Sequence, residues 1–471
     1  MKAVSRKRVT RLVSVMILAF FLPVLFSQVL VSASESVSPP VANPAFPDLQ
    51  ITNSSQAAAV LETGRMRLLY SKNAGSRMHI PASSKLMTAL LAVERLEMDV
   101  PVTISNVAAA ADLEQEPGDG VLLENGDKYP LEYLLLRLMF YDSDGAAVAI
   151  AEQISGVESD FVELMNSRAG SLGMSDTVFR NVTGQLDVDE AMLEGNSQSD
   201  NLPELTRAAL RQYSTAQDTA ELLATAMQDT DFSRLLSKES EYVVIEGQPL
   251  ISMQNQISDL WTLSEGSVLA AFASNRSGSS ETSLTISGTA GDIGVVAVTV
   301  GGTADQQIND ILTILRVTGN SYMTDTLTVA GERFTGGQEQ TVDGERFGLL
   351  YRKTTYYVRP IQDLFLKDTI RYVSFGPHQR PIQRSMIVGQ VVFELKDGTV
   401  ITVNVGPDQQ ILSDIAMIDH ALSQMQSNPN LTYLILIAFA LLIGMMAWQT
   451  VANVARLARL IQLIRLEQKL H

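Results

Sequence analysis

The 471-residue sequence contains no cysteine. Disulfide bonds, thiolate nucleophiles and cysteine metal sites are therefore excluded, and the fold must be stabilised by apolar cores. Histidine is scarce as well, because only four are present and they lack the spacing of metal ligands: His79, His378, His420 and His471. We therefore expect no metal site and no cofactor.

Positive charge is also in deficit. The chain has 52 acidic and 35 basic residues, which gives a formal net charge of −17. Both termini are basic, so the part between them is more acidic still. Such a chain would be repelled by a phosphate backbone, and nucleic acid is excluded as a partner on this ground.

The first 34 residues have the pattern of an export signal. A basic head with Lys2, Lys7 and Arg11 precedes an apolar run at residues 12–31, and small residues at 32–34 offer a cleavage site. An uncleaved anchor helix is the alternative, and both interpretations take the chain out of the cytoplasm. Residues 35–54 are rich in Ser, Pro, Ala and Asn, which predicts a flexible spacer.

A second apolar run lies near the other end of the chain. Residues 431–448 carry no charge and are long enough to cross a bilayer core of about 30 Å. We predict a connecting helix at 411–430, a transmembrane helix at 431–449 and a basic amphipathic tail at 450–471. The positive-inside rule places this tail in the cytoplasm and the bulk of the chain outside. The predicted location is therefore the cell membrane, and a buried core helix is the alternative for the apolar run.

The region between the two apolar runs divides by pattern. Apolar spacing predicts a strand pair at residues 57–61 and 66–70, a β-hairpin at 285–287 and 295–300, and helices at 84–96, 133–140, 146–154, 161–172, 215–227 and 308–315. An acidic insertion is expected at 187–206. Short alternating stretches follow, and Asp397-Gly398 marks a hairpin. We predict one domain at 55–318 and a β-rich domain at 319–410.

Several stretches of the first domain resemble the low-molecular-mass penicillin-binding proteins, which are serine-type D-alanyl-D-alanine carboxypeptidases. They lie in the family's order at residues 81–90 (Pro-Ala-Ser-Ser-Lys-Leu-Met-Thr-Ala-Leu), 146–152, 161–166, 172–174, 181–184 and 213–216. The resemblance implies an α/β (α+β) DD-peptidase or β-lactamase-like fold, with an antiparallel sheet and a helical lobe. It also implies a small all-β domain after this fold and a role in bacterial cell-wall metabolism.

The three catalytic motifs of that family are degenerate here. In the first, Ser-x-x-Lys, Lys85 aligns through its following residues and the place of the nucleophile falls on Ala82. The second, Ser-x-Asn, falls on Asp142-Ser143-Asp144. The third, Lys-Thr-Gly, falls near residues 273–275, Ala-Ser-Asn, and no Lys-Thr-Gly occurs in residues 250–290.

These changes affect each part of the family's chemistry. Loss of the nucleophile removes the acyl-enzyme route. Asp142 and Asp144 favour the charged form of Lys85, which disfavours its use as a base. Without the third-motif lysine, the terminal carboxylate of a substrate meets two acidic residues instead of a cation.

We therefore expect a membrane-anchored, extracytoplasmic pseudoenzyme that binds a peptidoglycan stem peptide or a cell-envelope protein. Lys85 and Ser83 are its candidate catalytic residues in vestigial form, and Asp142, Asp144 and Arg276 are its candidate substrate-binding residues. The alternative function is an active carboxypeptidase that uses Ser83 and Lys85 and trims the terminal D-Ala. A metal-assisted site at Asp142 and Asp144 is a third hypothesis for the function. A purely structural alternative for Lys85 is an ion pair with Asp142 or Asp144 that stabilises the fold.

Overall fold

A computed structural model describes residues 49–113, 118–185, 212–245, 248–274, 282–413, 418, 423 and 429–467. The chain divides into two compact units, and the boundary along the sequence lies between Tyr322 and Met323. The predicted export signal, most of the spacer, the insertion at 187–206 and most of the connecting helix predicted at 411–430 lie outside the described residues.

The first unit is built on a five-stranded antiparallel sheet with strand order β2-β1-β9-β8-β7. Its strands and those of two small ribbons are β1 Ala57–Glu62, β2 Arg67–Lys72, β3 Pro101–Thr103, β4 Lys128–Pro130, β5 Ser240–Val243, β6 Ile251–Gln254, β7 Val268–Ser274, β8 Ser283–Ala290 and β9 Ile293–Val300. The predicted strand pair and hairpin are confirmed as β1–β2 and β8–β9. Every residue of β1 is buried, since the central strands have helices against both faces.

The helices of this unit are α1 Pro81–Arg95, α2 Asn106–Leu113, α3 Leu131–Tyr141, α4 Asp144–Ser155, α5 Glu158–Leu172, α6 Ala216–Ala226, α7 Thr230–Leu236, α8 Asp259–Leu263 and α9 Ala304–Ser321. Helix α1 begins at Pro81, three residues before the predicted start. The reason is that the fixed φ of proline suits the first helical turn, where its missing N–H removes no hydrogen bond. Ala82, Ser83 and Lys85 consequently lie within one helix.

The second unit contains a five-stranded antiparallel sheet with strand order β11-β12-β16-β15-β14, and β10 pairs with β13. Its strands are β10 Tyr322–Thr328, β11 Arg333–Gln340, β12 Arg346–Tyr351, β13 Thr355–Pro360, β14 Arg371–Ser374, β15 Gly389–Glu394 and β16 Val400–Pro407. The predicted Asp397-Gly398 hairpin joins β15 and β16, with Gly398 at a φ of 85°. The predicted fold class, an antiparallel sheet with helices followed by an all-β region, is confirmed.

A single helix, α10, runs from Pro429 to Glu467. Its segment Tyr433–Gln462 is long and apolar enough to span a membrane, and none of this segment is buried against the rest of the chain. The predicted transmembrane helix at 431–449 and most of the predicted basic tail at 450–471 form one continuous helix. The stretch after Gly444 contains neither proline nor glycine to interrupt it.

Candidate functional site

Lys85 lies on the first turns of α1 with its side chain buried, at 1% exposure. Its Nζ lies 2.7 Å from Asp142 Oδ1 and 2.7 Å from Asp144 Oδ1. The same Nζ donates a hydrogen bond to the backbone carbonyl of Asp142. Three oxygen atoms therefore surround the ammonium group, and the predicted ion pair is present with both aspartates.

The turn between α3 and α4 brings the two carboxylates to Lys85. Asp142 ends α3 in the left-handed conformation, with φ 56° and ψ 34°, which aspartate tolerates better than most residues. Ser143 then caps α4, and its Oγ accepts a hydrogen bond from the Ala146 N–H at 3.1 Å. Asp144 is the first residue of α4. The break between the two helices thus positions Asp142 and Asp144 around one cation.

Two further polar side chains complete this group, which we call the Lys85 cluster: Lys85, Asp142, Asp144, Gln185 and Ser274. Ser274 Oγ, at the end of β7, donates to Asp142 Oδ2 at 2.9 Å. Gln185 Nε2 donates to Asp144 Oδ2. Ser274 lies within residues 273–275, where the third motif was predicted. Strand β7 therefore brings the third-motif position into contact with Asp142 of the second motif.

Gln185 is not among the residues predicted from the sequence, although it follows the family-like stretch at residues 181–184. The loop is held by Asn181, whose Oδ1 accepts from the Gly184 N–H at 2.8 Å. Gly184 has a φ of 74°, and a Cβ at this position would lie 2.6 Å from the Pro81 Cα. The loop therefore packs directly on the start of α1, and this contact carries Gln185 to Asp144.

The charges of the Lys85 cluster do not cancel when all three groups are ionised. One ammonium faces two carboxylates, and all three are shielded from water. Burial raises the pKa of Asp142 above its usual range, against the opposing effect of Lys85.

No serine hydroxyl in α1 is hydrogen-bonded to Lys85 among the described residues. Ala82, three residues before Lys85, is fully buried and presents a methyl group. The Ser83 hydroxyl donates to the Ile80 carbonyl at 2.8 Å. The Ser84 hydroxyl is buried without a hydrogen-bond partner in this part of the structure.

Two predictions from the sequence remain, namely Arg276 as a substrate-binding residue and a metal site at Asp142 and Asp144. Arg276 lies outside the described residues. Within the described part of the chain, no three His, Asp or Glu side chains are placed together as metal ligands. Asp142 and Asp144 instead contact the Lys85 ammonium.

A buried arginine, which was also not predicted from the sequence, stabilises the turn between α3 and α4 through a hydrogen-bond network. Arg137 on α3 contacts both oxygens of Asp112, at 3.0 and 3.1 Å, and Asp119 at 3.0 Å. Ser143 Oγ donates to Asp112 Oδ1 at 3.2 Å. This network ties α2, α3 and the cap of α4 together. No local sequence pattern shows it, because its members are far apart in the chain.

Comparison with known proteins gives consistent results. A family model described as D-alanyl-D-alanine carboxypeptidase matches residues 42–303. The chain is similar to D-alanyl-D-alanine carboxypeptidase DacF of Bacillus subtilis, with 23% identity over 367 residues, covering 75% of this chain and 84% of that protein. It is 24% identical to DacA of Escherichia coli over 342 residues, covering 71% and 78% respectively.

Solved structures show the same fold. Penicillin-binding protein 3 of Streptococcus pneumoniae, described as a peptidoglycan synthesis regulatory factor, superposes with a TM-score of 0.61 at 16% identity, covering 76% of this chain and all of that one. Penicillin-binding protein 5 of Haemophilus influenzae gives a TM-score of 0.56 at 18% identity, covering 77% and 98%. At these identities the likeness concerns the fold alone.

Proposed function

Because the chain belongs to the D-alanyl-D-alanine carboxypeptidase family, which acts in peptidoglycan metabolism, we propose that it is a catalytically impaired member that binds rather than hydrolyses. Its ligand is a peptidoglycan stem peptide or a protein of the cell envelope. The observation that carries this proposal is the buried methyl group of Ala82, three residues before Lys85. Acyl transfer needs an oxygen nucleophile at this position, one helical turn from the amine.

The environment of Lys85 supports the loss of its role as a base. An ammonium group has three N–H donors, and three oxygens of Asp142 and Asp144 surround it. Loss of a proton from Lys85 would leave two buried carboxylates without a cation, which is strongly unfavourable. The Lys85 ammonium is thus paired with both aspartates.

The position of Ser274 argues in the same direction. A neutral hydroxyl occupies the strand end where the family carries a lysine, and it is already bonded to Asp142. The cluster therefore contains two acidic groups and one cation that is neutralised internally. A peptide carboxylate that entered beside Asp142 and Asp144 would meet net negative charge.

The proposed setting is the outer face of the cytoplasmic membrane. Helix α10 supports this, since its segment Tyr433–Gln462 has the length and apolarity of a membrane span. Arg456, Arg459 and Arg465 lie in its last third, which favours a cytoplasmic position for this end. The stretch before α10 would then face the cell wall.

Two assays on the full chain in detergent test this function. The first measures D-alanine release from an acyl-D-Ala-D-Ala peptide, and we expect no release above that of a Lys85→Met variant. The second measures co-sedimentation with purified peptidoglycan and with cell-envelope protein fractions, and we expect specific retention by one of them. D-Ala release that a Ser83→Ala substitution abolishes would establish the active carboxypeptidase instead. Absence of retention by either material would refute the binding role.

A further inference from the structure

A groove of about 660 Å³ lies in the first unit, and none of its lining residues belongs to the Lys85 cluster. The segment after α8, the turn between β8 and β9, and helix α9 form its walls. This volume falls within the usual range of small-ligand sites, about 300–1,000 Å³. The groove can therefore hold a ligand of a few residues.

The wall formed by α9 contains polar side chains beside Leu312 and Leu315. Thr313, Arg316 and Asn320 line the groove at spacings of three and four residues, which places them on one face of the helix. The opposite face of α9 buries Ile311 and Ile314. The helix thus separates a core face from a face rich in hydrogen-bonding groups.

The other walls supply an acid and hydroxyl groups. Glu265 follows α8 in the left-handed conformation, at a φ of 52°, which is unfavourable for a residue with a side chain. Ser267 and Thr289 lie beside it, and Leu263 adds an apolar surface that is 57% exposed. Glu265 therefore contributes a carboxylate to the groove.

Two opposite charges line this groove without neutralising each other. Within the described residues, neither Glu265 nor Arg316 forms an ion pair, with each other or with any other side chain. An Arg fork is suited to bind a carboxylate through two hydrogen bonds, and a Glu carboxylate is suited to accept hydrogen bonds from an ammonium group. Hydroxyl and amide side chains between them match the peptide N–H and C=O groups of a short chain.

We propose that this groove binds a short zwitterionic peptide, whose free carboxylate lies on Arg316 and whose free amine lies on Glu265. That the peptide is a peptidoglycan stem peptide with a free amino side chain rests on the proposed function. The site is separate from the Lys85 cluster and does not depend on whether that cluster is catalytic.

Isothermal titration of the full chain in detergent tests this proposal with two matched probes. Nα-acetyl-L-Lys-D-Ala-D-Ala carries one ammonium and one carboxylate, and the Nα,Nε-diacetyl form lacks the ammonium. We expect the first peptide to bind at least tenfold more tightly than the second. Arg316→Gln should weaken both peptides at least tenfold, and Glu265→Gln should remove the difference between them.

Two control variants distinguish binding in this groove from binding elsewhere on the chain. Arg346→Gln removes an exposed arginine of β12 and should leave both affinities unchanged. Asp144→Asn alters the Lys85 cluster and should leave the dependence on Arg316 and Glu265 intact. Equal binding of both peptides to the wild-type chain, or wild-type affinity in the Arg316→Gln and Glu265→Gln variants, would overturn the proposal. These results are independent of the D-alanine release assay.

Discussion

The surroundings of Lys85 differ from those in a working serine acylase in two ways. Each difference acts through its own physical effect. Ala82 lacks the oxygen that would attack, and Asp142 and Asp144 form ion pairs with the amine. The first effect is the loss of a nucleophile, and it is local to α1. The second is electrostatic, and it persists even when a hydroxyl is restored.

We therefore predict that Ala82→Ser alone does not restore acylation by a penicillin. The triple variant Ala82→Ser, Asp142→Ser, Asp144→Asn releases Lys85 from both carboxylates and should acylate at least about 100-fold faster, the scale of general-base catalysis. Stopped-flow measurement with a fluorescent penicillin gives both rates. Rapid acylation of the single variant would show that the ion pairs do not restrain Lys85.

The buried carboxyl group of Glu221 predicts that the stability of the protein depends on pH. Glu221 on α6 is 7% exposed, and burial raises its pKa to about 7 from 4.5, although Gln217 Nε2 donates to it at 3.0 Å. The folded state thus binds the proton more tightly than the unfolded state. Its stabilising contribution is complete below about pH 4.5 and is lost as pH rises through about 7.

We predict that Glu221→Gln flattens this dependence. At pH 8 the variant should be more stable than the wild type by up to roughly 3 kcal/mol, since each pKa unit corresponds to about 1.4 kcal/mol. At pH 4 the two proteins should be nearly equal. Urea unfolding at a series of pH values measures the difference, and a gap that does not change with pH would contradict the prediction.

Among the elements, the junction of α3 and α4 is the one on which the site depends. Ser143 has two roles there, because its Oγ caps α4 and also donates to the buried Asp112. Thr215 caps α6 in the same way, because its Oγ1 accepts a hydrogen bond from the Asp218 N–H at 2.9 Å. The two caps form a matched pair, of which only the first contacts the Arg137 network.

We predict that Ser143→Ala lowers the free energy of unfolding by about 2 kcal/mol, more than Thr215→Ala at about 1 kcal/mol. The additional loss comes from the hydrogen bond that Asp112 would no longer receive. Chemical denaturation of both variants measures this. Equal losses would mean that the contact with Asp112 contributes nothing.

Sequence periodicity predicted six of the nine helices and four of the nine strands described in the first unit, because these elements have clear local apolar spacing. The start of α1 was misplaced because a Pro at the first helical position resembles a break before the helix. Lys85, Asp142 and Asp144 could be predicted from the sequence, since the family-like stretches fix their alignment. Gln185 and Arg137 could not, because their partners Asp144, Asp112 and Asp119 are specified by tertiary packing.

On the scale of the whole molecule, an acidic chain is joined to a long apolar helix. The helix α10 has no partner for its apolar surface within the described residues. A surface of this kind is stable in lipid and promotes aggregation in water. Membrane attachment is therefore expected to depend on α10.

We predict that the full chain remains in the membrane pellet after carbonate extraction. A chain of residues 35–428, which lacks both the predicted export signal and α10, should appear in the soluble fraction. Immunoblotting of both fractions gives the answer. Retention of the shortened chain in the pellet would assign the attachment to another segment.

Intact-protein mass spectrometry after incubation with benzylpenicillin tests the central claim most directly. Penicillins acylate the same serine that attacks a D-Ala-D-Ala substrate, so the adduct reports whether a competent hydroxyl reaches the Lys85 amine. We predict that the mass stays unchanged, even after long incubation. A mass increase by one penicilloyl group, located on Ser83 by peptide mapping, would contradict the account.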